Sequence, residues 1–213
     1  MPSISTRTSI RWLPEPASEP TNTVVLTGKS GIFLDVRFWK NTNVLDWAFA
    51  GYRSEDDYRT TKYHKIQALH RLSDTGTPLE VVDVGYNEPA AEGGTLECGE
   101  MVNPATGQMA RYEETWHDEE HDGGIFLVNA AKTIWRAWVG RRQLALGRTF
   151  VGNPNETEAV FWAWEASRLD SGEWQRGHAT DRMGQSEYLP DEARGWKKRV
   201  EWHREEWIVV EAD

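Results

Sequence analysis

The stretch Ile32-Phe33-Leu34-Asp35-Val36-Arg37-Phe38-Trp39 (IFLDVRFW) alternates without a break. Ile32, Leu34, Val36 and Phe38 fall on one side of an extended chain, and Phe33, Asp35, Arg37 and Trp39 fall on the other. A period of two in a run of β-branched and aromatic residues is the mark of a β-strand. One face is wholly apolar. The other mixes aromatic rings with an acid and a base. In a barrel, such a mixed set points either to the lumen or to solvent.

Runs of the same kind extend in both directions. Before it stands TVVLTG (23–28), joined by the turn Gly28-Lys29-Ser30-Gly31; after the turn KNTN (40–43) comes VLDWAFAGY (44–52). LEVVDVGY (79–86), TLECGEMV (95–102) and QMARYEETW (108–116) read as further strands, with NEPAAEGG and NPATG between them as a loop and a turn. The second half repeats the style in GIFLVNAAKTIWRAWVG (124–140), RRQLALGRTFVG (141–152) and TEAVFWAWEASR (157–168), with a turn at NPNE (153–156). The chain ends in WKKRVEWHREEWIVVEAD (196–213). Three segments read differently. Residues 1–22, with Pro2, Pro14, Pro16 and Pro20, are expected to be extended and loop-like. Residues 54–72 fit a helix start at Ser54 and an alternating strand equally well. The polar segment 170–195 is expected to be a long loop. Many short strands at roughly ten-residue spacing predict an all-β barrel or sandwich. The two halves look like similar lobes, 1–116 and 117–213, with the seam near 117–124.

The 213 residues suffice for one large domain or two small lobes with a real core. A net charge of −10 repels phosphate backbones and anionic membranes, so neither nucleic acid nor membrane is an expected partner. No apolar h-region opens the chain, and its single cysteine, Cys98, cannot form an internal disulfide; both point to the cytoplasm. Cys98 lies among acidic neighbours, which should raise rather than lower a thiol pKa, so it is not an expected nucleophile.

The segment His117-Asp118-Glu119-Glu120-His121 fits the H-x-x-E-H zinc pattern. That pattern takes its geometry from a helix. Here it follows a strand that ends at Trp116 and precedes Gly123 and Gly124, so it is expected to be a solvated acidic loop holding no metal. Phosphate-loop, dinucleotide and nucleophile-elbow fingerprints are missing as well, and no cofactor is expected.

FLDVRFW (33–39), LDWAFAG (45–51), LHRLSD (69–74), LECGEMVNPATG (96–107) and YEETW (112–116), in that order, resemble the fungal Hri-type proteins. The resemblance covers most of the first half; the second half matches in style. It implies two lipocalin-like antiparallel β-barrel lobes and brings no assigned reaction with it. More distantly, size, Trp richness and the lack of redox, metal or nucleophile motifs resemble the fungal tropolone-sesquiterpenoid hetero-Diels–Alderases. That likeness implies a cofactor-free cyclase of secondary metabolism acting on a small hydrophobic molecule derived from a polyketide or terpene.

Such a cyclase needs an apolar cavity, donors for an oxygen that gains charge and, where the substrate must lose water, an acid. Twelve Trp residues can line a cavity or fill a core. Trp39, Trp47 and Trp116 in the first half, and Trp135, Trp138, Trp162 and Trp164 in the second, are the candidate walls. Asp35, Arg37 and Trp39 share a strand face, and so do Tyr112, Glu114 and Trp116. Trp162 and Trp164 stand opposite Phe161 and Ala163, and Arg136 and Trp138 stand opposite Trp135. Glu114 is the candidate acid, its carboxyl raised by Trp neighbours; Arg37 and Arg136 are the candidate oxygen-binding groups, Tyr112 a further catalytic candidate on the Glu114 face, and Asp35 a further contact. Two other readings remain open: a carrier of a lipophilic molecule, and an interaction protein whose barrels are filled with side chains.

Overall fold

The computed structural model describes residues 1–56, 64–75, 82–91, 93–150, 159–181 and 187–212. Eight antiparallel strands close a barrel: β1 (Ser3–Trp12), β2 (Thr21–Thr27), β3 (Ile32–Trp39), β4 (Leu45–Asp56), β5 (His64–Ser73), β6 (Val82–Pro89), β7 (Thr95–Asn103) and β8 (Gln108–Glu120). Each pairs with its neighbour in sequence, and β8 returns to β1 from Ser3↔Glu120 to Trp12↔Tyr112. Seven more strands form a second antiparallel sheet in the order β13-β12-β11-β10-β9-β15-β14. They are β9 (Gly124–Asn129), β10 (Ile134–Val139), β11 (Arg142–Phe150), β12 (Ala159–Arg168), β13 (Trp174–Ala179), β14 (Arg199–Trp202) and β15 (Glu205–Ala212). The all-β, antiparallel reading of the sequence holds. Among the described residues no helix is long and apolar enough to cross a membrane.

Three local expectations are corrected and one ambiguity is resolved. Residues 3–12 are a strand, because Pro14, Pro16 and Pro20 all fall in the connection between β1 and β2 and Pro2 precedes β1. In the ambiguous segment, the described residues 54–56 end β4 and 64–72 belong to β5. The segment 170–195 contains β13 and a 3-10 helix at Asp191–Gly195. The HDEEH segment is no loop: β8 runs on through Glu120, paired with β1 from Thr6↔His117 to Ser3↔Glu120. A charged stretch is tolerated there because His117, Asp118, Glu119 and Glu120 are all exposed. The turn expected at 153–156 lies outside the described residues.

The second sheet packs on the outer wall of the barrel. Leu26, Ile32, Leu34, Val36 and Phe38 meet Phe126, Val128, Trp135, Ala137 and Leu146 in one buried cluster. Polar ties reinforce it. Glu211 of β15 accepts the backbone N–H groups of Lys29 (2.7 Å) and Ser30 (2.8 Å) in the β2–β3 turn, and Asn22 of β2 is 3.2 Å from His178 of β13. The opposite face of the sheet carries Ile125, Leu127, Trp138, Trp162, Trp164 and Trp207. It is covered by the chain around Tyr188, Leu189, Ala193 and Trp196.

Leu34 is fully buried in the cluster shared by the two lobes. Leu34→Ala is expected to cost about 2–5 kcal/mol. Because the cluster belongs to both lobes, urea unfolding followed by circular dichroism and by Trp fluorescence should give coincident single transitions. Two separated transitions would contradict the shared core.

Candidate functional site

The period-two alternation of each barrel strand decides which side chains enter the lumen. In β3, Phe33, Asp35 and Arg37 line a cavity of about 760 Å³, while Leu34 and Val36 face the second sheet. In β8, Tyr112, Glu114, Trp116 and Asp118 line it; in β4, Trp47 and Phe49 do so. Two close approaches depend on glycine. A Cβ on Gly85 would lie 2.5 Å from Glu97 Oε1, and one on Gly99 would lie 2.6 Å from the Tyr112 ring. These glycines leave room for Glu97 and Tyr112, whose hydroxyl donates to Glu97 at 3.0 Å.

One part of the lumen is aromatic. Val25, Phe33, Phe49 and Trp116 form a cluster, with Trp47 and Ala68 packed against it. The Trp47 and Phe49 ring centroids are 4.2 Å apart, and His70, wholly buried, stacks on Phe49 at 4.1 Å.

Beside this cluster runs a string of buried charges, Asp35–Arg37–Glu114–Arg7–Glu19. Arg37 donates to Asp35 at 2.8 Å and to Glu114 at 3.4 Å. Arg7 donates to Glu114, to Glu19 at 2.9 Å and to Thr21 at 2.7 Å. The Arg37 guanidinium also lies 5.0 Å from the Trp47 ring centroid and 5.6 Å from that of Phe49. Buried charges are costly unless each is paired and hydrogen-bonded, and this string pairs every member. Burial alone would raise the Glu19 carboxyl; the hydrogen bond and charge of Arg7, with Thr21, outweigh it and hold the group below its usual range.

The structure brings Asp35, Arg37, Trp47, Tyr112, Glu114 and Trp116 together around one cavity. It leaves the other candidates out. Trp39 shares the face of Arg37 but ends β3, is 43% exposed and does not line the cavity. Trp135 faces the barrel's outer wall, 5.7 Å from Tyr52. Trp138, Trp162 and Trp164 fill the far face of the second sheet. Arg136 is buried there as well, over the rings of Trp202 (4.9 Å), Trp207 (5.4 Å) and Trp164 (5.6 Å), and it donates to the Glu187 carbonyl at 2.6 Å. Burial pulls its pKa down to about 9. Arg136 therefore anchors the covering segment and is no donor to a barrel ligand. The expectation for Glu114 also changes: a carboxyl against apolar walls was expected, whereas two guanidinium groups engage it.

Arg7, Glu19, His70, Asn87 and Glu97 were not singled out by sequence. Arg7 was legible in principle, since it alternates with Ser3 and Ser5 along β1. Glu97 carried a signal in Gly85, a strand glycine whose missing side chain leaves it room. Cys98 stands opposite in character: burial, then Glu113 and Glu88, push its thiol up. Among the described residues no group of three or more His, Cys, Asp or Glu side chains is placed to hold a metal ion.

The Glu19 carboxyl lies below its ordinary value of 4.5, so its pairing with Arg7 stabilises the fold above that pH and is lost as pH falls through the folded-state value. Arg7→Gln leaves Glu19 without a guanidinium and Glu114 with Arg37 alone, and is expected to cost about 3–5 kcal/mol at pH 7. In denaturant titrations between pH 7 and pH 3, the gap to the native protein should narrow. A gap independent of pH would contradict the pairing.

The comparisons agree with this architecture. No curated protein matches the chain. Among solved structures, the crystal structure of an uncharacterized protein, YLR301w from Saccharomyces cerevisiae, is similar with a TM-score of 0.74 at 16% identity, over 100% of this chain and 99% of that one. At that identity the likeness speaks for the fold. The HRI1 family, described as Protein HRI1, matches residues 3–211, and on that match the chain belongs to the HRI1 family.

Proposed function

We propose that the barrel binds a small, ring-bearing hydrophobic molecule, and that the protein acts as its carrier. One observation carries this reading: the lumen keeps a cavity of about 760 Å³ between an aromatic cluster and a fully paired string of charges. Small-molecule sites commonly span about 300–1,000 Å³, with mostly apolar walls and a few placed polar groups. A barrel serving only as an interaction surface would gain stability by filling that space.

The cyclase reading uses the same cavity to hold reacting partners, but it needs an acid. Glu114 was the candidate, and its carboxylate is committed to Arg7 and Arg37. Binding, rather than proton donation, is what this arrangement supports.

Isothermal titration of tetralin, 1-tetralone and 5-hydroxy-1-tetralone into the native protein and into Ala68→Trp tests the reading. Ala68 lines the cavity, so an indole there would occupy the lumen. The native protein should bind at least one of the three saturably, at one site per chain, and the variant should lose that binding by at least about 10-fold while keeping its β-type circular dichroism. Binding that survives the filled lumen would place the site elsewhere.

A further inference from the structure

Trp116 is 7% exposed and lines the cavity, yet its Nε1–H has no hydrogen-bond partner. Three other buried indoles find one. Trp138 donates to the Gly140 carbonyl at 2.9 Å, Trp162 to Thr149 Oγ1 at 2.7 Å and Trp207 to the Trp202 carbonyl at 3.1 Å. Trp135 Nε1 also lacks a partner, but it lies in the packed core between barrel and sheet and does not line the cavity. Asn87 on β6 adds a second orphan in the lumen: its Oδ1 is buried and unpartnered, and the residue lines the same cavity. Leaving a buried donor and a buried acceptor unsatisfied costs free energy, and native proteins do so rarely. An unsatisfied donor and an unsatisfied acceptor on two residues that line one cavity suit a ligand that supplies the complement of each.

The charges of the lumen restrict that ligand further. Asp35, Arg37, Glu114 and Arg7 are committed to one another, and Asp118 accepts from Ser5 (2.5 Å) and Thr95 (2.7 Å). Beside the aromatic cluster a charged ligand would have to break one of these pairs, whereas an uncharged one can lie on the rings and leave them intact.

Resting on the reading that the lumen binds a small molecule, we propose that its ligand is an uncharged cyclic ketone bearing a hydroxyl group. Its carbonyl oxygen accepts from Trp116 Nε1–H, and its hydroxyl donates to Asn87 Oδ1. Trp116 and Asn87 thereby select among ring compounds of similar shape.

The three bicyclic compounds named above differ by one group at a time: no polar group, a ketone, and a ketone with a hydroxyl. Titration calorimetry with the native protein, Trp116→Phe and Asn87→Leu reads each contact separately. In the native protein affinity should rise about 3- to 10-fold at each step, the worth of one neutral hydrogen bond. Trp116→Phe should erase the preference for 1-tetralone over tetralin while tetralin binds as before. Asn87→Leu should erase only the further gain from the hydroxyl. Should one variant fail to fold, the stepwise preference in the native protein and the remaining variant still decide the matter. Equal affinity for all three in the native protein, or a ketone preference that survives Trp116→Phe, would overturn this inference and leave the cavity standing as a binding site. Failure of the native protein to bind any of the three would overturn both.

Discussion

A guanidinium group inside a β-barrel must be neutralised there, and in this protein that requirement falls where the barrel closes. Arg7 stands on β1 and Glu114 on β8, the two strands whose pairing completes the ring. Glu114 also receives Arg37 from β3, and Arg37 holds Asp35. Arg7 further holds Glu19 from the β1–β2 connection. The string crosses the closure, so its members are in place only when the barrel is shut. Buried ion pairs add little net stability compared with apolar packing, but breaking one is expensive. The string therefore acts as a check on register: a one-residue slip of β8 would turn Glu114 out of the lumen and leave Arg7 and Arg37 short of a carboxylate.

Strand β3 joins this lumen to the rest of the molecule because neither of its faces meets water over most of its length. Phe33, Asp35 and Arg37 look inward; Ile32, Leu34, Val36 and Phe38 rest on the second sheet. That sheet is buried on both sides in turn, by the barrel and by the segment that Arg136 and its Trp neighbours hold down. Much of the chain's Trp content is spent on that far face. The barrel keeps Trp47 and Trp116 for its lumen, and the space between them and the charges stays open.

Alternation made the faces legible. It grouped Asp35 with Arg37 and Tyr112 with Glu114 and Trp116, and it set Trp162 and Trp164 against Phe161 and Ala163; the structure keeps each of those groupings. Alternation does not say what lies beyond a face. Arg136 and Trp138 show the same period as the lumen strands, but their strand belongs to a sheet covered on both sides, so they meet core instead of cavity. Trp39 follows Arg37 in phase, yet one step further along the strand carries it out of the barrel. Strand β1 was hidden by prolines that flank it without entering it, and with it went Arg7. The charge of HDEEH hid the last residues of β8, where all four side chains from His117 to Glu120 are exposed. The pairing of Glu114 could not be read at all, since its partners come from positions 107 and 77 residues away.

The indole N–H groups offer the most direct view of the central claim, that ligand enters the barrel. In a ¹⁵N-labelled sample, the assigned indole cross-peaks can be followed while 5-hydroxy-1-tetralone is added. The account predicts progressive shifts for Trp116 and Trp47, which line the cavity, and none for Trp138, Trp162 or Trp207 on the far face of the second sheet. Shifts confined to the far-face tryptophans, or no shift at Trp116 under saturating ligand, would contradict it.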